Sequence, residues 1–274
     1  MLEKYMSVEN FGSAIGEAIG ASMEKALEEN LIEIADLYGC HYLTSGVRNT
    51  KSGTKAKKLL MSDNYGNEYD IDGVFANEKM QPLILFESKY IRYKKHNRDK
   101  ASWICNAHSA VRRRYHSIRS SIAVLAGSWS GSSQAMMRSN DINLFFIPFE
   151  FICTLLLEVG IEFCWGEKEK IKARDAWYKY NNLTYEQRAL IGRKMVGLIE
   201  EQLILLIENI LNESIERQIK KIVVEIVSSL GEVKVFEFNT IENALEFLEQ
   251  DNLKNVFLIT DSLSLFDLPP TFDE

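Results

Sequence analysis

Residues 83–90 (Leu-Ile-Leu-Phe-Glu-Ser-Lys-Tyr) form a mainly apolar run that starts directly after Pro82 and carries opposite charges near its end. Pro82 blocks strand continuation at its own position, and the run behind it reads as a buried β-strand. Side chains alternate along a strand with period two, so Leu83, Leu85, Glu87 and Lys89 share one face, and Ile84, Phe86, Ser88 and Tyr90 the other. Any sheet built on this strand sets a carboxylate and an ammonium side by side among apolar neighbours. Residues 68–76 read as a second strand, and the polar connection at 77–82 makes the two a hairpin. Asp70 and Asp72 share a face of that strand, and the hairpin carries them towards Glu87.

The rest of the chain supplies helices to cover such a sheet. Residues 12–39 read as a helix, since Ile19, Met23, Ala26, Leu27, Leu31, Ile34 and Leu37 recur at steps of three and four and Gly39 can end it. Residues 45–66 are polar and suit a loop. A helix over 101–119, a buried strand over 121–126, a loop at 127–133, a short helical turn at 134–139, a strand over Ile142–Pro148 and a helix from Glu150 follow. This order predicts an α/β (α+β) chain with a mixed central sheet flanked by helices. Residues 185–230 read as one long helix or two, with Val196, Ile199, Leu203, Leu206 and Ile210 stepping as a core face or a dimer seam would. Residues 232–238, 241–249 and 256–260 read as a closing β-α-β unit. Two parts result, 1–165 and 166–274, the second serving dimerisation or target recognition.

Charge is unevenly spread. The chain carries −7 overall, which by itself argues against a polyanionic partner. From Lys89 to Arg119, however, ten basic residues face one acid, so this stretch holds +9 and the remainder −16. Local field, not total charge, attracts a polyanion. Arg92, Lys94, Lys95, Arg112, His116 and Arg119 are expected to meet phosphate, the last three from one side of a helix near the site, with His108 in that helix's surface. The four cysteines are widely spaced and read as buried free thiols of a reducing compartment. The N-terminus lacks a signal-peptide layout, and no apolar stretch spans a bilayer. A soluble cytoplasmic protein without a membrane partner is expected.

Two or three carboxylates converging beside one lysine repel each other and lose hydration unless something compensates. Mg²⁺ is the natural compensator, because it takes hard oxygen ligands from a few carboxylates and keeps several waters. Asp72, a fifteen-residue step, then Glu87-Ser88-Lys89 on a buried strand resembles the PD-(D/E)XK nuclease superfamily, to which most type II restriction endonucleases belong. The resemblance spans roughly residues 12–165 and implies a restriction-endonuclease-like α-β-β-β-α-β core. Ile71 stands where that family usually has proline. Asp70 competes for the first carboxylate position, and Asp-Gly-Val at 72–74 favours Asp72. Gly20-Ala-Ser-Met-Glu24 has the form of the family's helix glutamate, which assigns that role to Glu24, with Glu28 one turn on as the fallback. The resemblance implies a Mg²⁺-dependent endodeoxyribonuclease, Mn²⁺ able to substitute, of restriction or phage-defence type, acting on DNA as a homodimer. Asp72, Glu87 and Glu24 would hold metal and Lys89 would position the attacking water. An inert nucleic-acid-binding or assembly module on the same fold, and an RNase or repair nuclease, are the competing readings.

Overall fold

The computed structural model describes residues 10–45, 48–49, 55–56, 58–249, 253–258, 264 and 266–268. The chain divides into two compact units, Met1–Asn212 and Glu213–Glu274. The first opens with helix α1 (Phe11–Leu37), capped by the Asn10 side chain, which accepts from the Ser13 amide. Ile15, Ile19, Met23, Leu27, Leu31 and Ile34 form its buried stripe, and Gly39, at φ +62°, turns the chain out of it. Strands β1 (His41–Thr44), β2 (Arg48–Asn49), β3 (Lys55–Ala56), β4 (Leu60–Ser62), β5 (Glu68–Asp70), β6 (Gly73–Ala76) and β7 (Pro82–Ile91) follow. Helix α2 (Asn97–Arg114), strand β8 (Ser120–Gly127), helix α3 (Gly131–Ser139), strand β9 (Ile142–Pro148) and helix α4 (Phe149–Glu158) complete the sheet and its first covers.

The main sheet is five-stranded, in the order β1-β6-β7-β8-β9. The β1, β6 and β7 strands pair antiparallel, whereas β7, β8 and β9 run parallel, so the sheet is mixed, with helices on both faces. One face, carrying Ile84, Phe86, Ile122 and Val124, packs in the same core as α1 and α4. The other, carrying Leu85, Ala123 and Leu125, is covered by Ile104, Ala107 and Val111 of α2 and Met137 of α3. Strand period therefore turns Glu87 and Lys89 towards the α2 side. A Cβ added at Gly16 or Gly20 would come within 3.3 Å of Tyr90, so α1 lies directly on the end of β7 and carries Glu24 to the same place.

Several expectations are corrected. Residues 68–76 are not one strand: β5 pairs with β4 in a separate two-stranded sheet, and only β6 enters the main one. The loop at 127–133 ends early, because Ser130 caps α3 by accepting from the Ser133 amide. The helix expected over 101–119 starts at Asn97 and stops at Arg114. The long helix over 185–230 is two helices and a strand. Helices α5 (Lys170–Asn181), α6 (Tyr185–Gly197) and α7 (Glu200–Leu211) belong to the first unit, so the boundary falls after Asn212, not at 165. Val196, Ile199 and Leu203 join the main core and Leu206 and Ile210 pack against it only partly buried, while Ile207 and Leu211 are the buried residues there, so the stripe is a core face shifted by one residue in α7 and not a dimer seam.

The second unit is a hairpin with a helix. Strands β10 (Ile222–Val227) and β11 (Val233–Phe238) pair antiparallel, and helix α8 (Ile241–Leu248) lays Phe247 against Phe236 and Phe238, ring centroids 4.5 and 5.2 Å away. The β-branched run Ile222-Val-Val-Glu-Ile-Val favours this pleated form over the helix first read there. Leu253–Leu258 is a 3₁₀ helix, which removes the strand expected from 256; residues 259–260 lie outside the described ones. All four cysteines are free, as expected, but only Cys40 and Cys105 are buried. Among the described residues no helix is long and apolar enough to cross a membrane.

Candidate active site

The break between β5 and β6 at Ile71 and Asp72 builds the site. Ile71 is fully buried and donates its amide to the Leu59 carbonyl, which holds β5 on β4. Asp70 stays with that small sheet and pairs with Lys58 at 3.1 Å. Asp72 turns the other way. Its Oδ2 accepts from the Ser88 amide at 3.0 Å and from Lys89 Nζ at 2.5 Å. Lys89 Nζ also lies 2.9 Å from Glu87 Oε2. Asp72, and not Asp70, is therefore the aspartate that meets Lys89 beside Glu87.

Burial makes this trio electrostatically tense. The Asp72 carboxyl is pushed up to about 7 by burial and then by the Glu87 charge, against the pull of Lys89. Burial would also raise Glu87, but the neighbouring His108 and Lys89 outweigh it and bring the carboxyl down to about 2. Burial works to lower the Lys89 ammonium, yet Glu87 and Asp72 together hold it above its ordinary value. Lys89 is therefore a charged donor at neutral pH. Two carboxyls in contact share one ammonium, and the more perturbed one keeps a proton close to neutrality.

His108 is the residue that sequence reading misplaced. It is 1% exposed rather than in the helix surface, and its Nε2 lies 3.8 Å from Glu87 Oε1. Neither ring nitrogen has a hydrogen-bond partner among the described residues. The signal was available: Ile104, His108 and Val111 recur at helical steps, and all three are buried. Replacing His108 by leucine takes from the buried Glu87 carboxylate the neighbour that favours its charge, so the fold is expected to lose about 1–3 kcal/mol. Glu87 simultaneously loses its neighbour, so Mg²⁺ binding is expected to weaken. Urea unfolding and calorimetric metal titration of one preparation check both signs; unchanged stability with an unchanged titration would contradict the assignment.

Glu24 faces two cavities. One, of about 160 Å³, is lined by Glu24, Glu28, Tyr42, Thr44, Asp72 and Ser88. The other, of about 500 Å³, reaches Glu24, Ser88, Lys89, Tyr93 and Lys100. Burial raises the Glu24 carboxyl, and Lys89 opposes that. Glu28 accepts from Thr44 Oγ1 at 3.1 Å, one turn from Glu24. Tyr42 closes the wall over Gly73, where an added Cβ would sit 2.3 Å from the phenol oxygen. Gly73→Ala is expected to cost about 1–3 kcal/mol through this overlap. A urea midpoint equal to wild type would mean that Tyr42 swings aside freely.

The basic run is split between two ends of the sheet. Lys94 and Lys95 are exposed and follow the C-terminal end of β7, beyond Lys89. Arg92 is corrected: it is only 7% exposed, donates to the Phe163 and Trp165 carbonyls, and lies 3.5 Å from the Trp165 ring centre. It is a buried structural cation rather than a surface contact. Arg112, His116 and Arg119 are also displaced from the expected position. Arg119 donates its amide to Leu83 at the start of β7, about 13 Å along the strand from Glu87. Its guanidinium caps α7 through the Ile210 and Leu211 carbonyls. Arg112 lies in the last turn of α2, and exposed His116 follows it, at the end where Arg119 meets β7.

As to metal, no three His, Cys, Asp or Glu side chains among the described residues stand together as a ligand cluster. The close donors are two carboxylates, Asp72 and Glu87, both hard oxygens. Such a pair fits Mg²⁺, which is commonly held by one or two carboxylates with water completing the shell. No protein-family model matches the chain. No curated protein matches it either. A solved structure of a protein of unknown function, AF1548, is similar over 66% of this chain and 99% of that one, at 12% identity and a TM-score of 0.30.

Proposed function

We propose that the chain is a Mg²⁺-dependent endodeoxyribonuclease of the PD-(D/E)XK type, with a restriction-endonuclease-like core and a restriction or phage-defence role. One observation supports this most: Asp72, from the bend between β5 and β6, and Glu87, from β7, meet at Lys89 Nζ at 2.5 and 2.9 Å. Asp72 and Glu87 would hold the ion, and Glu24 would reach it through water. When bound there, Mg²⁺ supplies a water of lowered pKa and neutralises charge on the scissile phosphate. Lys89, kept protonated by its neighbours, orients the attacking water and donates to the phosphoryl oxygens. Its raised pKa makes it a donor and not the general base. His108, 3.8 Å away, favours the ionised form of Glu87.

Plasmid, linear duplex and RNA incubated with Mg²⁺, with Mn²⁺ or with EDTA test the reading. Metal-dependent cleavage of DNA is expected, and linear product without a nicked intermediate would mark a homodimer. Cleavage of RNA alone would move the substrate class. Binding without cleavage under every metal would favour an inert module.

A further inference from the structure

The second unit leaves much of its apolar surface uncovered. Among its described residues only Ala244 and Val256 are buried apolar side chains, while Ile219, Val223, Val227, Val233 and Val235 are exposed. Its sheet has two strands, and a lone two-stranded hairpin is marginal in water. Among the described residues no third strand lies on either edge, and an open edge is a template for another chain.

The turn shows which backbone groups the β10 edge presents. The Ser228 amide donates to the Glu232 carbonyl at 2.9 Å, and the Gly231 amide to the Ser228 carbonyl at 3.1 Å, with Gly231 at φ +85°. Ser228 and Glu232 therefore close the ladder across a three-residue loop. Antiparallel pairs alternate between bonded and unbonded, so Ile222, Val224 and Ile226 bond towards β11. Val223, Glu225 and Val227 then turn their N–H and C=O groups to the open side.

Every second residue from 219 to 227 is exposed, and the series reads Ile219, Lys221, Val223, Glu225, Val227. Apolar, positive, apolar, negative, apolar is its own complement when reversed. An antiparallel second copy centred on Val223 sets Val223 against Val223, Lys221 against Glu225 and Ile219 against Val227. Opposite charges then stand directly across from each other, twice by symmetry. Centring on Glu225 would set that carboxylate against itself. The β11 edge has no such match, because a copy centred on Val235 sets Val233 against Glu237. Lys221 meets Glu237 of its own chain at 3.4 Å on the surface, and an ammonium with three donors can serve both carboxylates.

We propose that the chain forms a two-fold dimer through the open edge of β10, joining two hairpins into one four-stranded antiparallel sheet in the order β11-β10-β10-β11. The occupant of the edge is a second copy of this chain. The contact supplies the homodimer of the nuclease reading, but it rests on the residues of the second unit and not on the chemistry at Asp72, Glu87 and Lys89.

Sedimentation velocity of the full chain, across a concentration series, is the test. Wild type is expected to pass from monomer to dimer as concentration rises. Lys221→Glu alone or Glu225→Lys alone sets like charges opposite at two places, and is expected to weaken the dimer roughly tenfold or more. The two together restore opposite charges and should restore the dimer. Both positions are exposed, so folding is little disturbed. Val223→Pro removes an N–H that points away from β11, so it is expected to keep the urea transition of wild type and lose the dimer. Should that variant unfold, the charge swap still decides. A monomer at every concentration overturns the proposal, as does a dimer that neither reversal weakens or that the swap fails to restore. A monomer that cleaves DNA leaves the nuclease reading standing without this contact. A dimer that follows the charge swap, in a protein that cleaves under no metal, leaves the contact standing without the nuclease reading.

Discussion

Lys89→Met is expected to abolish Mg²⁺-dependent cleavage, with a loss of at least about 10²-fold in turnover, the scale for removing one preorganised donor to a charged transition state. The substitution keeps the side chain's length and removes only the ammonium that joins Asp72 to Glu87. Metal binding need not fall with it. Without Lys89 the two carboxyls lose their shared cation, so the pair's demand for a divalent ion rises. Calorimetric titration with Mg²⁺ beside a cleavage assay separates the effects. Retained cleavage in Lys89→Met would remove Lys89 from the chemistry and leave it a structural ion pair.

The second large effect is a dependence of apo-protein stability on pH. Asp72 has its carboxyl raised from 3.8 to about 7 in the folded chain, by burial and then by Glu87. Between those values the folded state binds more protons than the unfolded one, so stability falls as pH rises through this window. The stabilising contribution is complete below about 3.8 and gone above about 7. Glu87 is shifted the opposite way, from 4.5 to about 2, so its own contribution changes mainly at more acid pH. The metal-free protein is therefore expected to melt at a higher temperature near pH 5 than near pH 8. Added Mg²⁺ should restore stability at the higher pH, where the ion no longer competes with a proton. Asp72→Asn should flatten the profile and remove the Mg²⁺ response. A flat profile in the wild-type protein would show that the carboxyl pair is not strained as described.

Much of the frame was legible in the residues. The buried stripe of α1 was read from steps of three and four, which survive from Ile19 to Ile34 because they belong to one helix, while Leu37, read as its last member, is exposed. The strand pairing of residues 68–76 with 83–90 was half right. Its second part forms the hairpin, while its first part leaves for another sheet, and no local propensity marks the break at Ile71 and Asp72. The helix read across 212–230 failed because an apolar run of this length supports either period until a partner strand takes it. Here β11 does so.

The candidate site divides along the same line. Strand periodicity alone put Glu87 and Lys89 on one face, and a hairpin was enough to bring an aspartate near them. Which aspartate arrived was decided by tertiary pairing, since Asp70 belongs to the strand that Lys58 and β4 hold. His108 entered only because α2 packs on the sheet, bringing the buried side of one element against Glu87 of another. The basic run looked like one patch because its residues are close in sequence. A helix advances about 1.5 Å per residue, so the 18 residues of α2 carry Arg112 and its neighbours some 25 Å from the helix start. Local sequence determines which side chains share a face, because that depends only on backbone repeat. Which faces meet, and which charges then find partners, is settled by packing between segments far apart in the chain.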